Sequence, residues 1–198
     1  TLAQKGVSVY GGGPDYQHVY AQGLVNYYFL TGNQMAKDVV IELADYVVNG
    51  IKGPSRPITV CKKILKGIIH YLKTNFLNFN QLIPYALTEG PGRASGNALS
   101  VLVDGYNLTG KQLYIDSAED LIKKCIHPYD NVSTRRLDDV NFRWPYTIFL
   151  QSLGKYLHLK LERNDFDYMF HFAKESLIHY AKWMLEHERP FLTRKESL

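Results

Sequence analysis

The stretch Leu24-Val25-Asn26-Tyr27-Tyr28-Phe29-Leu30-Thr31-Gly32 returns later in the chain as Leu102-Val103-Asp104-Gly105-Tyr106-Asn107-Leu108-Thr109-Gly110. The offset is 109 − 31 = 78 residues, and it also places Asp38 on Asp116 and Leu43 on Leu121. Each copy carries apolar residues at helical spacing, a Thr-Gly stop, and then a second apolar helical pattern. The first helix is predicted over 16–30 and its partner over 34–48, with Asn49-Gly50 as terminator. In the second copy the pattern of Leu99, Leu102, Val103 and Tyr106 is followed by that of Tyr114, Ala118, Leu121, Ile122 and Cys125, which stops at His127-Pro128. A fainter third copy, residues 143–159, aligns with the second at an offset of 50, with Tyr156 on Tyr106 and a partner helix over 166–186. Self-similar helix pairs predict an array of antiparallel hairpins, each burying its apolar face on the next.

Between the first two copies, Ile58 to Phe76 forms another amphipathic pattern, with Lys62, Lys63, Lys66 and Lys73 off the apolar stripe, read as a solvated outer face. Apart from a short extended piece near 82–87, no period-two alternation competes with the helical signal, so the fold class is all-α. With 198 residues, 45% of them hydrophobic, the chain holds one domain with a substantial core. A net charge of +4, spread among nearly balanced acids and bases, lacks the clustered stripe of a nucleic-acid binder. No apolar run reaches the roughly 20 residues of a membrane span. The 15 tyrosines serve either to fill a helical core or to line a groove, and core filling is the commoner use. Cys61 and Cys125 lie on separate apolar stripes and read as buried free thiols.

The glycine-rich stretches at 11–13 and 90–96 are not phosphate cradles, because no apolar strand precedes them and no Gly-Lys-Ser/Thr follows. Each instead leads into the first helix of a copy. The offsets set Asp15, Arg93 and Arg143 at equivalent points, three positions ahead of His18, Gly96 and Tyr146. Equivalent points in a repeat array share one face, so these leading turns are expected to gather Asp15, Tyr16, His18, Arg93, Asn97, Arg143, Trp144 and Tyr146 around one opening, with Glu89 alongside. The competing expectation is that Arg93 and Arg143 tie loops together through Asp15, Glu89, Asp138 or Asp139. Metal ligation is not expected: His171, His179 and His187 recur every eight residues, and about 80° of drift per step separates them on a helix. The Glu186-His187-Glu188-Arg189 run reads as a solvated helix end.

The runs 18–50, 90–128, 143–157 and 176–190 resemble the α/α-toroid region of bacterial proteins related to exo-acting rhamnogalacturonan lyases, and more broadly the six-hairpin glycosidases and toroid polysaccharide lyases. The resemblance implies an arc of an α/α toroid that acts on an acidic, pectin-like polysaccharide, without a cofactor, in the periplasm or outside the cell. A closed toroid has twelve helices and the sequence shows about seven, so it also implies that the rest of a larger polypeptide, or a dimer partner, completes the ring. β-Elimination on a uronic acid needs a base, a cation on the carboxylate and an acid for the leaving oxygen. His18 and Tyr146 are the acid/base candidates, Arg93 and Arg143 the carboxylate clamps, and Asp15, Tyr16, Asn97, Trp144 and Glu89 the substrate-binding set. Two alternatives stand beside it: a hydrolase using Asp15 and Glu89 as its carboxyl pair, and a non-catalytic helical scaffold that binds a partner segment.

Overall fold

The computed structural model describes residues 16–52, 90–139 and 143–188. The amphipathic stretch 58–76 and the extended piece near 82–87 lie outside them, as do Asp15 and Glu89. The described residues form six α-helices: α1 (Gln22–Thr31), α2 (Gln34–Lys52), α3 (Arg93–Thr109), α4 (Gln112–Cys125), α5 (Tyr146–Glu162) and α6 (Tyr168–His187). Short 3-10 turns occupy Tyr16–His18 and Val132–Arg135, and no strand occurs among the described residues. None of these helices is long and apolar enough to cross a membrane.

The 78-residue repeat is reproduced atom for atom at its turns. α1 and α3 both end on a left-handed glycine, Gly32 at φ 70° and Gly110 at φ 67°. The two glycines donate their N–H to Tyr28 O and Tyr106 O, each at 2.7 Å. The preceding threonines return their hydroxyls to Tyr27 O and Gly105 O, each at 2.6 Å, and then accept the N–H of Asn33 and Lys111. Glycine is required because a Cβ in the left-handed region costs roughly 1 kcal/mol. The α5–α6 hairpin turns differently, through Asn164 at φ 53°, and Asp167 caps α6 by accepting from Phe170 N at 2.8 Å.

α3 is the central helix, packed against α2, α4 and α5. Gly96 in its first turns meets the backbone of Ile148 and Phe149, Asp104 meets Lys155, and Tyr106 lies under Arg163. These pairs climb together, so α3 and α5 run side by side in the same direction. Gln22 of α1 joins the same level through Lys155.

Three boundaries differ from the sequence expectation. The first helix starts at Gln22, not 16, because the Gln17 carbonyl, which a continuous helix would aim at the Ala21 N–H, accepts instead from Asn97 Nδ2 at 2.7 Å. α2 runs through Gly50 to Lys52. Gly50 is a seat rather than a stop, since a Cβ there would overlap the Tyr16 hydroxyl. α3 and α5 begin 146 − 93 = 53 residues apart rather than 50. Pro145, at φ −65° and with no N–H to satisfy, fixes where α5 starts.

Among the described residues, four tyrosines are fully buried, and each donates its hydroxyl to a carboxylate on a neighbouring segment. Tyr114 reaches Asp45 at 2.7 Å, Tyr146 reaches Glu188 at 2.6 Å, Tyr156 reaches Glu119 at 2.8 Å and Tyr180 reaches Asp130 at 2.7 Å. The bonds join α2 to α4, α5 to the end of α6, α4 to α5, and α6 to the loop after α4. Burial, reinforced by the adjacent carboxylate, pushes the hydroxyls of Tyr114, Tyr146 and Tyr156 above the ordinary tyrosine range.

A hydroxyl whose pKa rises on folding contributes stability below its unfolded value of 10.0, and that stability disappears as pH climbs past it. Tyr114, Tyr146 and Tyr156 are therefore expected to remain un-ionised until the chain unfolds at alkaline pH, and tyrosinate absorbance should show a delayed, cooperative phase. Smooth titration of all 15 tyrosines near their ordinary value would contradict this. A Cβ at Gly96 would lie 2.7 Å from Phe149 N, so Gly96→Ala is expected to cost about 2 kcal/mol in urea unfolding. Gly32→Ala, at a left-handed cap in open space, costs about 1 kcal/mol.

Candidate functional site

The N-terminal ends of α1, α3 and α5 lie at one end of the array, and their leading turns are neighbours. Asn97, buried in the second turn of α3, holds the Tyr16–His18 turn through the Gln17 carbonyl. Beside it, the Arg93 guanidinium lies 5.0 Å from the ring centre of Trp144, in the turn ahead of α5. Trp144 remains 46% exposed beside that guanidinium. His18 is exposed at the tip of its turn, 6.4 Å from the Tyr20 ring. An exposed imidazole, a guanidinium and a partly exposed indole therefore belong to one end of the array.

Two expected members point elsewhere. Tyr16 stacks on Tyr46 of α2 at 4.7 Å and rests on Gly50, which makes it a strut for its turn. Tyr146 is buried to 1% exposure and commits its hydroxyl to Glu188. With that hydroxyl held above the usual tyrosine range by burial and the carboxylate, its proton leaves reluctantly near neutral pH. Arg143 is half-buried, and its backbone N–H donates to Asp139 O at 2.8 Å.

The end of α6 supplies residues that the sequence had assigned to a solvated helix terminus. Because α6 runs back along α5, Trp183, His187 and Glu188 reach Tyr146. The rings of Trp183 and His187 stack at 4.7 Å and 7°, and Trp183 meets Tyr146 edge-on at 6.4 Å. His187 Nδ1 donates to Trp183 O at 2.9 Å, which leaves Nε2 as the ring's other polar atom. The i,i+4 spacing of Trp183 and His187 was the available signal, but the link to Tyr146 spans 42 residues and has no local trace.

A second polar cluster ties the three parallel helices together farther along. Lys155 Nζ of α5 donates to Gln22 Oε1 at 2.6 Å and Ser100 Oγ at 3.0 Å, and pairs with Asp104 Oδ1 at 2.6 Å. Asp104 is buried, and its second oxygen has no hydrogen-bond partner. Burial raises its pKa, opposed by the charge and hydrogen bond of Lys155. Near the α5–α6 turn, buried Lys160 meets Glu119, Asp165 and Asp167 at 3.2, 2.6 and 2.8 Å. Burial alone would lower its pKa, but these carboxylates outweigh it and hold the ammonium above the usual lysine range. Asp130 is held below the carboxylate range because the Tyr180 hydroxyl, the His127 N–H and the Arg135 guanidinium outweigh the effect of burial.

Among the described residues, no group of three or more His, Cys, Asp and Glu is arranged to hold a metal ion. Cys125 is a buried thiol outside any disulfide, and burial pushes its pKa up to about 11, which suppresses the thiolate. His179 donates through Nε2 to Asp130 O, so it pins the loop after α4. Compared with protein-family models, curated proteins and solved structures, the chain matches none.

Removing the cation from the Asp104 pair leaves a buried carboxylate without its counter-charge. Lys155→Met is expected to cost about 3 kcal/mol in urea unfolding, and pairing it with Asp104→Leu to recover most of that loss. Additive losses in the double variant would show that the two groups are not coupled.

Proposed function

We propose that the leading-turn end of the array binds an acidic glycan and that the chain is part of a carbohydrate-active protein, its hairpins forming an arc of an α/α toroid. The observation that carries this reading is the pairing of Arg93 with the half-open indole of Trp144, beside the turn that bears His18. An indole face stacks on the apolar side of a pyranose ring, and a guanidinium donates two parallel hydrogen bonds to a uronate carboxylate. A cation next to a stacking platform selects sugars that carry a carboxylate.

On that surface the reaction best matched to the residues is β-elimination. The Arg93 guanidinium, with Arg143 in the turn ahead of α5, neutralises the uronate carboxylate as charge develops on the adjacent carbon. His18, exposed on its turn, takes the proton from that carbon. The electron pair forms the double bond and the glycosidic oxygen departs, taking a proton from solvent or an acid outside the described residues. With the Tyr146 hydroxyl engaged by Glu188, this reading assigns the acid/base role to His18. That engagement also favours a second reading, in which the same surface binds the glycan without turning it over.

Oligogalacturonides titrated into the full chain, followed by tryptophan fluorescence, should bind in preference to neutral oligosaccharides of equal length. Trp144→Ala is expected to weaken binding about tenfold, ~1.4 kcal/mol. Arg93→Ala should remove the preference for the acidic ligand. Growth of the ultraviolet absorbance of an unsaturated uronate, lost in His18→Ala with binding intact, identifies the lyase; binding without that absorbance identifies the second reading. Equal affinity for acidic and neutral sugars, or none for either, rules out both.

A further inference from the structure

α1 is apolar on two opposite faces, and among the described residues only one of them is covered. Ala21, Val25 and Tyr28 lie on the face turned to α2 and α3, with Ala21 and Val25 at 3% exposure. On the opposite side, Gly23, Tyr27 and Leu30 follow one another at i, i+4 and i+7, with Tyr20 entering the same stripe ahead of the helix. Tyr20, Tyr27 and Leu30 are 63, 50 and 84% exposed, and Phe29 and Met35 flank them at 63 and 76%. A helix that is apolar all round is normally covered all round.

Gly23 adds an independent observation. In α2 and α3 the mid-helix glycines are points of close approach: Gly50 seats Tyr16, Gly96 meets Phe149, and a Cβ on Gly105 would lie 2.8 Å from that of Ala44. A Cβ on Gly23 would have nothing within 4 Å. Glycine inside a helix is unfavourable relative to alanine, and among the described residues no contact offsets that cost at Gly23 or, within α5, at Gly154.

We propose that this face of α1 is the interface with a second copy of the chain, the two α1 helices crossing about a two-fold axis with Gly23 at the closest approach. α1 carries no charged residue between Gln22 and Thr31. Self-pairing therefore opposes no like charges, and a charged partner would find no complement there. A two-fold axis sets the stripe against itself, which satisfies both copies at once. Aromatic side chains carry roughly 150–250 Å² each, so the five exposed side chains hold on the order of 600 Å² per copy, near the ~800 Å² that each partner buries in a stable pair.

Sedimentation velocity on the full chain across a micromolar concentration series tests this. The wild type is expected to form a reversible dimer, and Leu30→Glu to remain monomeric at every concentration. Gly23→Leu places bulk where the monomer has room and the crossing has none. It should weaken self-association by about tenfold or more, while leaving the dilute monomer's helical circular dichroism and melting temperature unchanged or higher. A wild type that is monomeric throughout, or an assembly that survives both substitutions, overturns the proposal. Because Gly23→Leu is judged against its own dilute monomer, loss of the dimer through misfolding is told apart from loss through the interface.

Discussion

The packing of these helices depends on hydroxyl-to-carboxylate bonds made by tyrosines that are themselves core residues. A phenol ring adds apolar area to the interior, and its hydroxyl then demands a partner, because an unpaired buried donor is costly. Here the demand is met each time by a carboxylate on a different segment: Asp45, Glu119, Asp130 and Glu188. Each bond fixes both the distance and the rotation of one helix relative to another, which aliphatic packing alone leaves loosely specified. The tyrosines thus have a structural use: they tie α2 to α4, α4 to α5, and α6 to α5 and to the loop after α4.

Lys155 and Lys160 extend the same logic with opposite charge. Lys155 spends its three N–H donors on Gln22, Ser100 and Asp104, one on α1 and two on α3. Lys160 meets three carboxylates, one of which also caps α6. A single ammonium that serves several helices is specific to one arrangement, since any slip in register strands at least one acceptor. Asp104 bears the cost of this arrangement: only one of its two oxygens is paired.

Much of the hairpin pattern is legible in the sequence because its signals are local. The Thr-Gly stops lie within a few residues of the carbonyls they satisfy, so the ends of α1 and α3 read directly. Starts and registers were harder. The start of α1 depends on Asn97, some 80 residues away from the carbonyl it claims, and Gly50 looked like a stop because its contact with Tyr16 cannot be read from spacing. The third copy slipped by three residues because Pro145, not the aligned tyrosine, determines where α5 begins. The site followed the same division. The repeat brought Arg93, Asn97 and Trp144 to one end of the array, whereas the capture of Tyr146 by Glu188, and of Tyr16 by Tyr46, arose from contacts between distant segments.

The Thr-Gly turns at 31–32 and 109–110 are complete in themselves: every donor and acceptor in each lies within a handful of residues of the glycine. Such a joint can be copied with its two helices and will close without help from whatever stands next to it. The architecture can therefore lengthen by duplication one helix pair at a time, with novelty confined to the loops between pairs. Sequence change would accumulate there first, leaving the joints unchanged.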